Sequence, residues 1–428
     1  MKITVHRGTN QIGGCVTEIE SNGYKVFIDF GEQLPGTKND NNQLSQIEGL
    51  TCGDVSKSAL FITHYHGDHI GKICDTVVDL PIYLGKTALE ICKCLEKRLS
   101  YIPIPEEAEK HKKLLKRLKT VNTLKPLQRI KVGKIVVTPL FIDHSAFDAY
   151  MFIVEADNKR VLNTGDFRGH GFKSKVLVPM LQKYAINIDY IISEGSNIER
   201  SDAVLQTEWE LQKDFEKSFT ENKYNFVIVS STNIDRIFAL YHTAKKAKRC
   251  FVCDAYQTKV LRIVSESHKE KTGFYRINYD KKTNPAQRFF TLNRIAMNPF
   301  LFPGNLKPHL DKYGFCMLVR PNDSFKPLLE EYSKLNETKI YYSMYKGYLD
   351  ESNTAYNPLF ASFIKPFEYE YRHTSGHADI QTLGTLFDTI KPKCGIIPIH
   401  TEAPEIFREL FADYNIILLQ DGQVFNCI

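Results

Sequence analysis

His64-Tyr65-His66-Gly67-Asp68-His69 follows directly on the apolar run Leu60-Phe61-Ile62-Thr63. The run reads as a buried strand, so the polar stretch leaves its C-terminal end, where open α/β sheets place their sites. Four good metal ligands of two chemical types fall within these six residues. Neutral imidazoles together with carboxylates favour zinc or a similar divalent ion. Alternating histidines can face one ion while the Asp68-His69 pair faces a neighbour. Chance rarely assembles this set behind a strand, so a merely histidine-rich loop is the weaker reading.

Further segments repeat the pattern. Phe141-Ile142-Asp143-His144-Ser145 follows the apolar run Ile135 to Leu140, and Asn163-Thr164-Gly165-Asp166-Phe167-Arg168 carries an aspartate. Ile396-Ile397-Pro398-Ile399-His400 is a strand ending in histidine, and Val26-Phe27-Ile28-Asp29-Phe30-Gly31 one ending in aspartate. Taken in chain order, the five motifs resemble the signature of the metallo-β-lactamase superfamily. That resemblance implies a first ion held by His64, His66 and His144, and a second held by Asp68, His69 and His400. Asp166 would bridge the two ions, and Asp29 would support the ligand loop from behind. Two Zn²⁺ per chain are expected.

Three more segments narrow the resemblance. Ile191-Ile192-Ser193-Glu194-Gly195-Ser196-Asn197 looks like the acidic motif of the β-CASP nuclease branch. His373-Thr374-Ser375-Gly376-His377-Ala378-Asp379 looks like its histidine motif, and Pro398-Ile399-His400-Thr401-Glu402 like its last. The His-x-Ser-Gly-His-Ala form most resembles ribonuclease J and its bacterial and archaeal relatives. The likeness runs from about residue 5 to about 412 and is carried by motifs alone across an insert. It implies an α/β fold: a metallo-β-lactamase αββα sandwich with an inserted β-CASP domain built on a parallel sheet flanked by helices. Residues 1–198 and 369–428 would form the sandwich and residues 199–368 the insert. Alternating strand and helix patterns from residue 203 to residue 342 agree with such an insert.

Phosphodiester hydrolysis needs a nucleophile at neutral pH and neutralised charge on phosphorus. Two metals roughly 3.5 to 4 Å apart supply both. A histidine outside the ligand set is then useful to protonate the leaving oxygen, and His377 fits, with Glu194 orienting it. Asp68 counts with these two as catalytic. The plainer reading of Glu194 is a surface carboxylate after a strand. His373 and Ser375 are candidates for substrate contact, and His373 serves either phosphate or its own turn. Val227-Ile228-Val229-Ser230-Ser231-Thr232-Asn233 runs a strand into a helix start, which is an anion nest or a plain cap. In ribonuclease J relatives the similar segment contacts substrate phosphate, which would make Thr232 and Asn233 substrate-binding. Ser343-Met344-Tyr345-Lys346-Gly347 departs from the Gly/Ser-rich loop of those relatives, and no dimerisation domain is expected beyond Ile428. The 5′-exonuclease or endonuclease mode is open, and so is the oligomeric state, a homodimer being one option.

Composition fits a globular protein: 43% of the 428 residues are hydrophobic and 25% charged. The net charge of +6 leans mildly toward polyanions. Met1-Lys2-Ile3-Thr4-Val5 starts a strand without a signal peptide, and no long apolar span follows, so a cytoplasmic protein with no membrane partner is expected. Ten irregularly spaced cysteines read as reduced thiols. Cys250-Phe251-Val252-Cys253 and the Cys92/Cys94 pair lack the partners of a zinc site and read as core. Lys110 to Lys119 is a basic amphipathic stretch, either solvated or binding nucleic acid. The expected partner is nucleic acid, with RNA favoured over DNA. The other readings are a hydrolase of this fold acting on DNA or a non-nucleic substrate, and a non-catalytic scaffold. Glu194 with His377 argues against a non-nucleic substrate, and retention of all seven ligands against the scaffold.

Overall fold

The computed structural model describes residues 1–35, 44, 46–200, 205–267, 273–280, 284–293 and 306–428. They divide into two compact units, Met1–Leu205 with Gly376–Ile428, and Gln206–Ser375. The sequence pattern put the corresponding junctions at 198/199 and 368/369.

The first unit is an αββα sandwich. One sheet orders its strands Val424–Asn426, Lys2–Arg7, Val16–Ser21, Tyr24–Ile28, Ser58–Phe61, Ile82–Gly85 and Asn122–Leu124. The other runs Gly395–Ile399, Tyr190–Glu194, Lys159–Asn163, Ala149–Ala156, Ile135–Ile142 and Ile130–Val132. Alternate residues of both sheets, among them Val5, Ile28, Phe61, Val137, Phe152, Ile192 and Ile397, meet in one apolar layer. The opposite faces are buried too. Leu162, Ile191 and Ile396 pack under Leu181, Leu386 and Phe407 of helices Ser174–Tyr184, Ile380–Ile390 and Ile406–Leu410. Covering both faces explains the near-continuous apolar strands that the sequence displays.

The second unit is a sheet of parallel strands, in the order Phe289–Leu292, Cys250–Asp254, Phe315–Val319, Tyr224–Val229, Thr338–Ser343 and Glu370–Tyr371. Helices alternate with these strands, as βα periodicity requires. Helix Ile234–Lys246 and strands Cys250–Asp254 and Phe315–Val319 lie in the span where the sequence alternates strand and helix patterns. The helix expected from residue 203 runs Glu208–Glu221, opened by a Thr207/Glu210 capping box; residues 203 and 204 lie outside the described residues. The helical pattern of residues 87–119, expected to break near Pro103 and Pro105, forms two helices, Lys86–Leu99 and Pro105–Arg117. Pro105 takes the first-turn position, where its missing N–H costs nothing.

Cys92, Cys94, Cys250 and Cys253 are buried thiols without a disulfide. The basic stretch at the end of Pro105–Arg117 spends Arg117 on the carbonyls of Val77 and Val78 and the hydroxyl of Thr76. Among the described residues, no helix is long and apolar enough to cross a membrane.

Candidate metal centre

Parallel strands deliver their C-terminal ends to one sheet edge, and that is how distant residues of this chain come together. Lys159–Asn163, Tyr190–Glu194 and Gly395–Ile399 are parallel neighbours, so Asp166, Glu194 and His400 emerge side by side. Tyr24–Ile28 and Ser58–Phe61 do the same for Asp29 and the His64–His69 loop. Ile135–Ile142 runs two antiparallel steps from Lys159–Asn163 and so brings His144 to the same edge.

Donor atoms meet there in overlapping groups: His64, His66 and His144; Asp68, His69 and His400; His64, His69 and Asp166. His66 Nδ1 lies 3.1 Å from His64 Nε2 and 3.4 Å from His144 Nε2. Two imidazole nitrogens at about 2.0–2.1 Å from one tetrahedral zinc stand about 3.3 Å apart. Asp68 Oδ2 lies 3.5 Å from His69 Nε2 and 3.3 Å from His400 Nε2. The Asp166 carboxylate reaches both groups, at 3.8 Å from His64, 3.1 Å from His69 and 3.8 Å from His400.

The outer nitrogens of these rings are held by the protein, which leaves the inner ones aimed at the cluster. His69 Nδ1 sits 2.8 Å from Asp29 Oδ2, His144 Nδ1 2.7 Å from the Gly376 carbonyl, and His400 Nδ1 2.8 Å from Ser196 Oγ. Thr63 Oγ1 stands 3.1 Å from His64 Nδ1 and donates to Asp29. His69 Nε2 is buried and faces the carboxylates of Asp166 and Asp68, at 3.1 and 3.5 Å. A buried imidazole nitrogen with its other edge locked to a carboxylate is what a metal ligand looks like before the metal is counted. The donor set therefore fits a pair of divalent ions.

Charge reinforces the fit. Burial pushes the pKa of His64 and His144 well down, and that of His66 down to about 4, so all three are neutral donors. Burial would raise Asp68 and Asp166, but His69 and His400 hold both ionised, well below the usual carboxylate range. Burial would lower His69, yet Asp166, Asp68 and Asp29 raise it well above its ordinary value. A proton there balances the surrounding carboxylates, as a cation would. Asp29 and His400 adopt left-handed backbone, φ 61° and 54°. Such conformations persist where the surroundings over-determine them, commonly at functional sites.

His377 stands beside the cluster. Its Nδ1 lies 3.0 Å from Glu194 Oε2 and 3.7 Å from Asp166 Oδ2. Burial pulls its pKa down, but Glu194 and Asp166 raise it to about 9. Glu194 is buried and also accepts the Phe167 N–H and the Ser196 hydroxyl, so it is no ordinary surface carboxylate. The other four candidates, Thr232, Asn233, His373 and Ser375, belong to the Gln206–Ser375 unit. Asn233 caps its helix, accepting the Arg236 N–H at 3.4 Å, and the Thr232 hydroxyl lies 2.9 Å from that of Ser230. His373 packs its ring against Tyr371.

Several residues at the site escaped sequence reading. Ser196 Oγ is 2.8 Å from both Glu194 and His400 Nδ1 and joins the acid-base pair to the ligand set. Asn197 holds the carbonyls of His377 and Ala378. Arg168 and Asp143 form a buried ion pair at 3.1 Å that ties the His144 loop to the Asp166 loop. Both loops were singled out for their ligands, and the polar residues beside those ligands carry no spacing that names their partners.

No protein-family model matches the chain. A crystal structure of a protein of unknown function from Enterococcus faecalis V583 shares the fold, with a TM-score of 0.71 at 20% identity over 99% of both chains. Two ribonuclease J proteins, from Mycoplasma genitalium and Mycoplasma pneumoniae, are each 24% identical to this chain, over 260 and 263 residues. Each alignment covers 58% of this chain and 42% of the relative, so the chain spans less than half the length of the curated relatives it matches. Across that span the chain is similar to ribonuclease J.

Proposed function

We propose that this chain is a zinc-dependent nuclease of the β-CASP branch of the metallo-β-lactamase superfamily, hydrolysing phosphodiester bonds in RNA. The observation that carries the reading is the convergence of seven inward-facing donors, with Asp166 spanning both groups, beside a histidine locked to a buried glutamate. Bound zinc would ionise a water near neutral pH and neutralise charge on the phosphate.

The chain's own residues do the rest. His64, His66 and His144 would hold one ion and Asp68, His69 and His400 the other, with the Asp166 carboxylate within reach of both groups. Asp29, Thr63 and Ser196 keep the rings oriented. His377, its ring oriented by the Nδ1 contact to Glu194, would bring a proton to the departing oxygen. The similarity to ribonuclease J favours RNA as the substrate.

The test uses zinc-loaded protein and RNA and DNA of one sequence, each with a 5′-monophosphate or a 5′-hydroxyl. Cleavage of RNA with DNA spared supports the proposal, and product lengths read the mode. Cleavage of DNA alone moves the substrate class. Full zinc loading with neither nucleic acid cut overturns the nuclease reading.

A further inference from the structure

The donor loop is gripped from outside by a buried guanidinium that takes no part in the chemistry proposed above. Arg7, 3% exposed at the end of strand Lys2–Arg7, donates from Nε to the Gly14 carbonyl at 2.6 Å and from Nη2 to the Gly31 carbonyl at 2.5 Å. Both carbonyls belong to segments that hold Gly67-Asp68-His69. The Gly14 N–H donates to the Asp68 carbonyl at 3.0 Å, the Phe30 N–H to that of His69 at 2.8 Å, and the Glu32 N–H to that of Gly67 at 2.9 Å. Three consecutive carbonyls of the donor loop are thus taken by two segments that Arg7 ties together.

The approach is close enough to demand glycine. A Cβ on Gly31 would stand 1.6 Å from the Asp68 carbonyl oxygen. The residue after Arg7 extends the arrangement, since the Gly8 carbonyl accepts the His400 N–H at 2.8 Å. All three donors of the second site are therefore anchored around Arg7. The outer contacts of His64 and His144 go instead to Thr63 and Gly376.

We propose that Arg7 is a positioning residue for the Asp68, His69 and His400 metal site and acts only weakly on the His64, His66 and His144 site. The inference rests on the two-metal reading. A guanidinium suits the task because its planar fork satisfies two carbonyls at once and stays charged when buried, whereas a lysine ammonium is a single point.

The experiment titrates zinc into the metal-depleted 428-residue protein against a competing chelator, for wild type, Arg7→Met and Arg7→Lys, with a urea midpoint for each. Wild type should bind two ions. Arg7→Met should keep one at wild-type affinity and bind the other about 10- to 100-fold more weakly, the usual cost of losing a residue that orients ligands. Arg7→Lys should fall between. A merely structural role would lower the urea midpoint and weaken both ions alike, and that result overturns the inference. Unchanged affinity for both ions in the variants overturns it as well. If Arg7→Met does not fold, Arg7→Lys carries the comparison under the same criteria. Wild type binding fewer than two ions overturns the two-metal reading and takes this inference with it, an outcome distinct from either failure in the variants.

Discussion

Nδ1 of His377 lies 3.0 Å from Oε2 of Glu194, a carboxylate 1% exposed. A buried carboxylate in that position fixes the ring and favours its protonated form, which suits a general acid. Replacing His377 with Ala should leave two zinc ions bound and the fold intact. The rate should fall about 10²- to 10⁴-fold, the usual contribution of a positioned acid. Zinc content and turnover measured together decide it. Full activity would remove His377 from the mechanism, and loss of zinc would add it to the ligands, with which Asp166, Glu194 and His400 already group it.

Metal content is the second expectation. Protein purified without chelator should carry close to two zinc ions per chain. His66→Ala and Asp166→Ala should lose metal along with activity, and Asp166→Ala should lose more because its carboxylate reaches both groups. Activity that survives complete removal of divalent ions would contradict the whole assignment.

The Arg168 and Asp143 pair tests how the ligand loops are held. Arg168 is fully buried, and Asp143 also accepts the Lys173 N–H at 2.8 Å. Arg168→Met leaves an uncompensated buried carboxylate, which typically costs about 3–5 kcal/mol. The urea midpoint should drop accordingly, and much of the loss should return in Arg168→Met combined with Asp143→Leu. A loss below about 1 kcal/mol, the range of exposed pairs, would show the pair to be dispensable.

What the sequence made legible follows from what sequence encodes locally. Ligand types behind apolar strands mark His64 to His69, His144, Asp166 and His400, because strand ends and ligand chemistry are both written in consecutive residues. Ser196 and Arg7 were not legible. Their roles depend on which distant carbonyl or ring they meet, and Arg7 reaches Gly31 across 24 positions. Strand boundaries in the parallel sheet were close because buried parallel strands are short unbroken apolar runs. The helical pattern of residues 87–119 breaks near Pro103 and Pro105, because proline cannot continue a helix, and helices Lys86–Leu99 and Pro105–Arg117 stand on either side of the break.

Acid stability has a local cause away from the metal centre. Burial would raise the Glu18 pKa, but His6, at 2.9 Å, and Lys25, at 3.1 Å, lower it below 4.5. A depressed carboxylate stabilises the fold fully above its unfolded value and loses that contribution as pH falls through the folded one. Glu18→Gln should therefore lower the urea midpoint at pH 7, and the gap from wild type should close as pH falls below about 4.5. A gap that stays constant with pH would assign the effect to packing.

The polarity of attack turns on Thr232 and Asn233. Asn233 already uses its side-chain oxygen to cap helix Ile234–Lys246, which leaves its amide N–H groups and the helix N-terminus for an anion. If these groups form a pocket for one phosphate, 5′-monophosphate RNA should be degraded faster than 5′-triphosphate RNA, because two further phosphates would need desolvation in a site sized for one. Thr232→Val and Asn233→Asp should then narrow the preference, the aspartate keeping the cap while repelling the phosphate. Equal rates on both ends, or cleavage of circular RNA at the same rate, would mean internal cleavage and leave Asn233 as a helix cap alone.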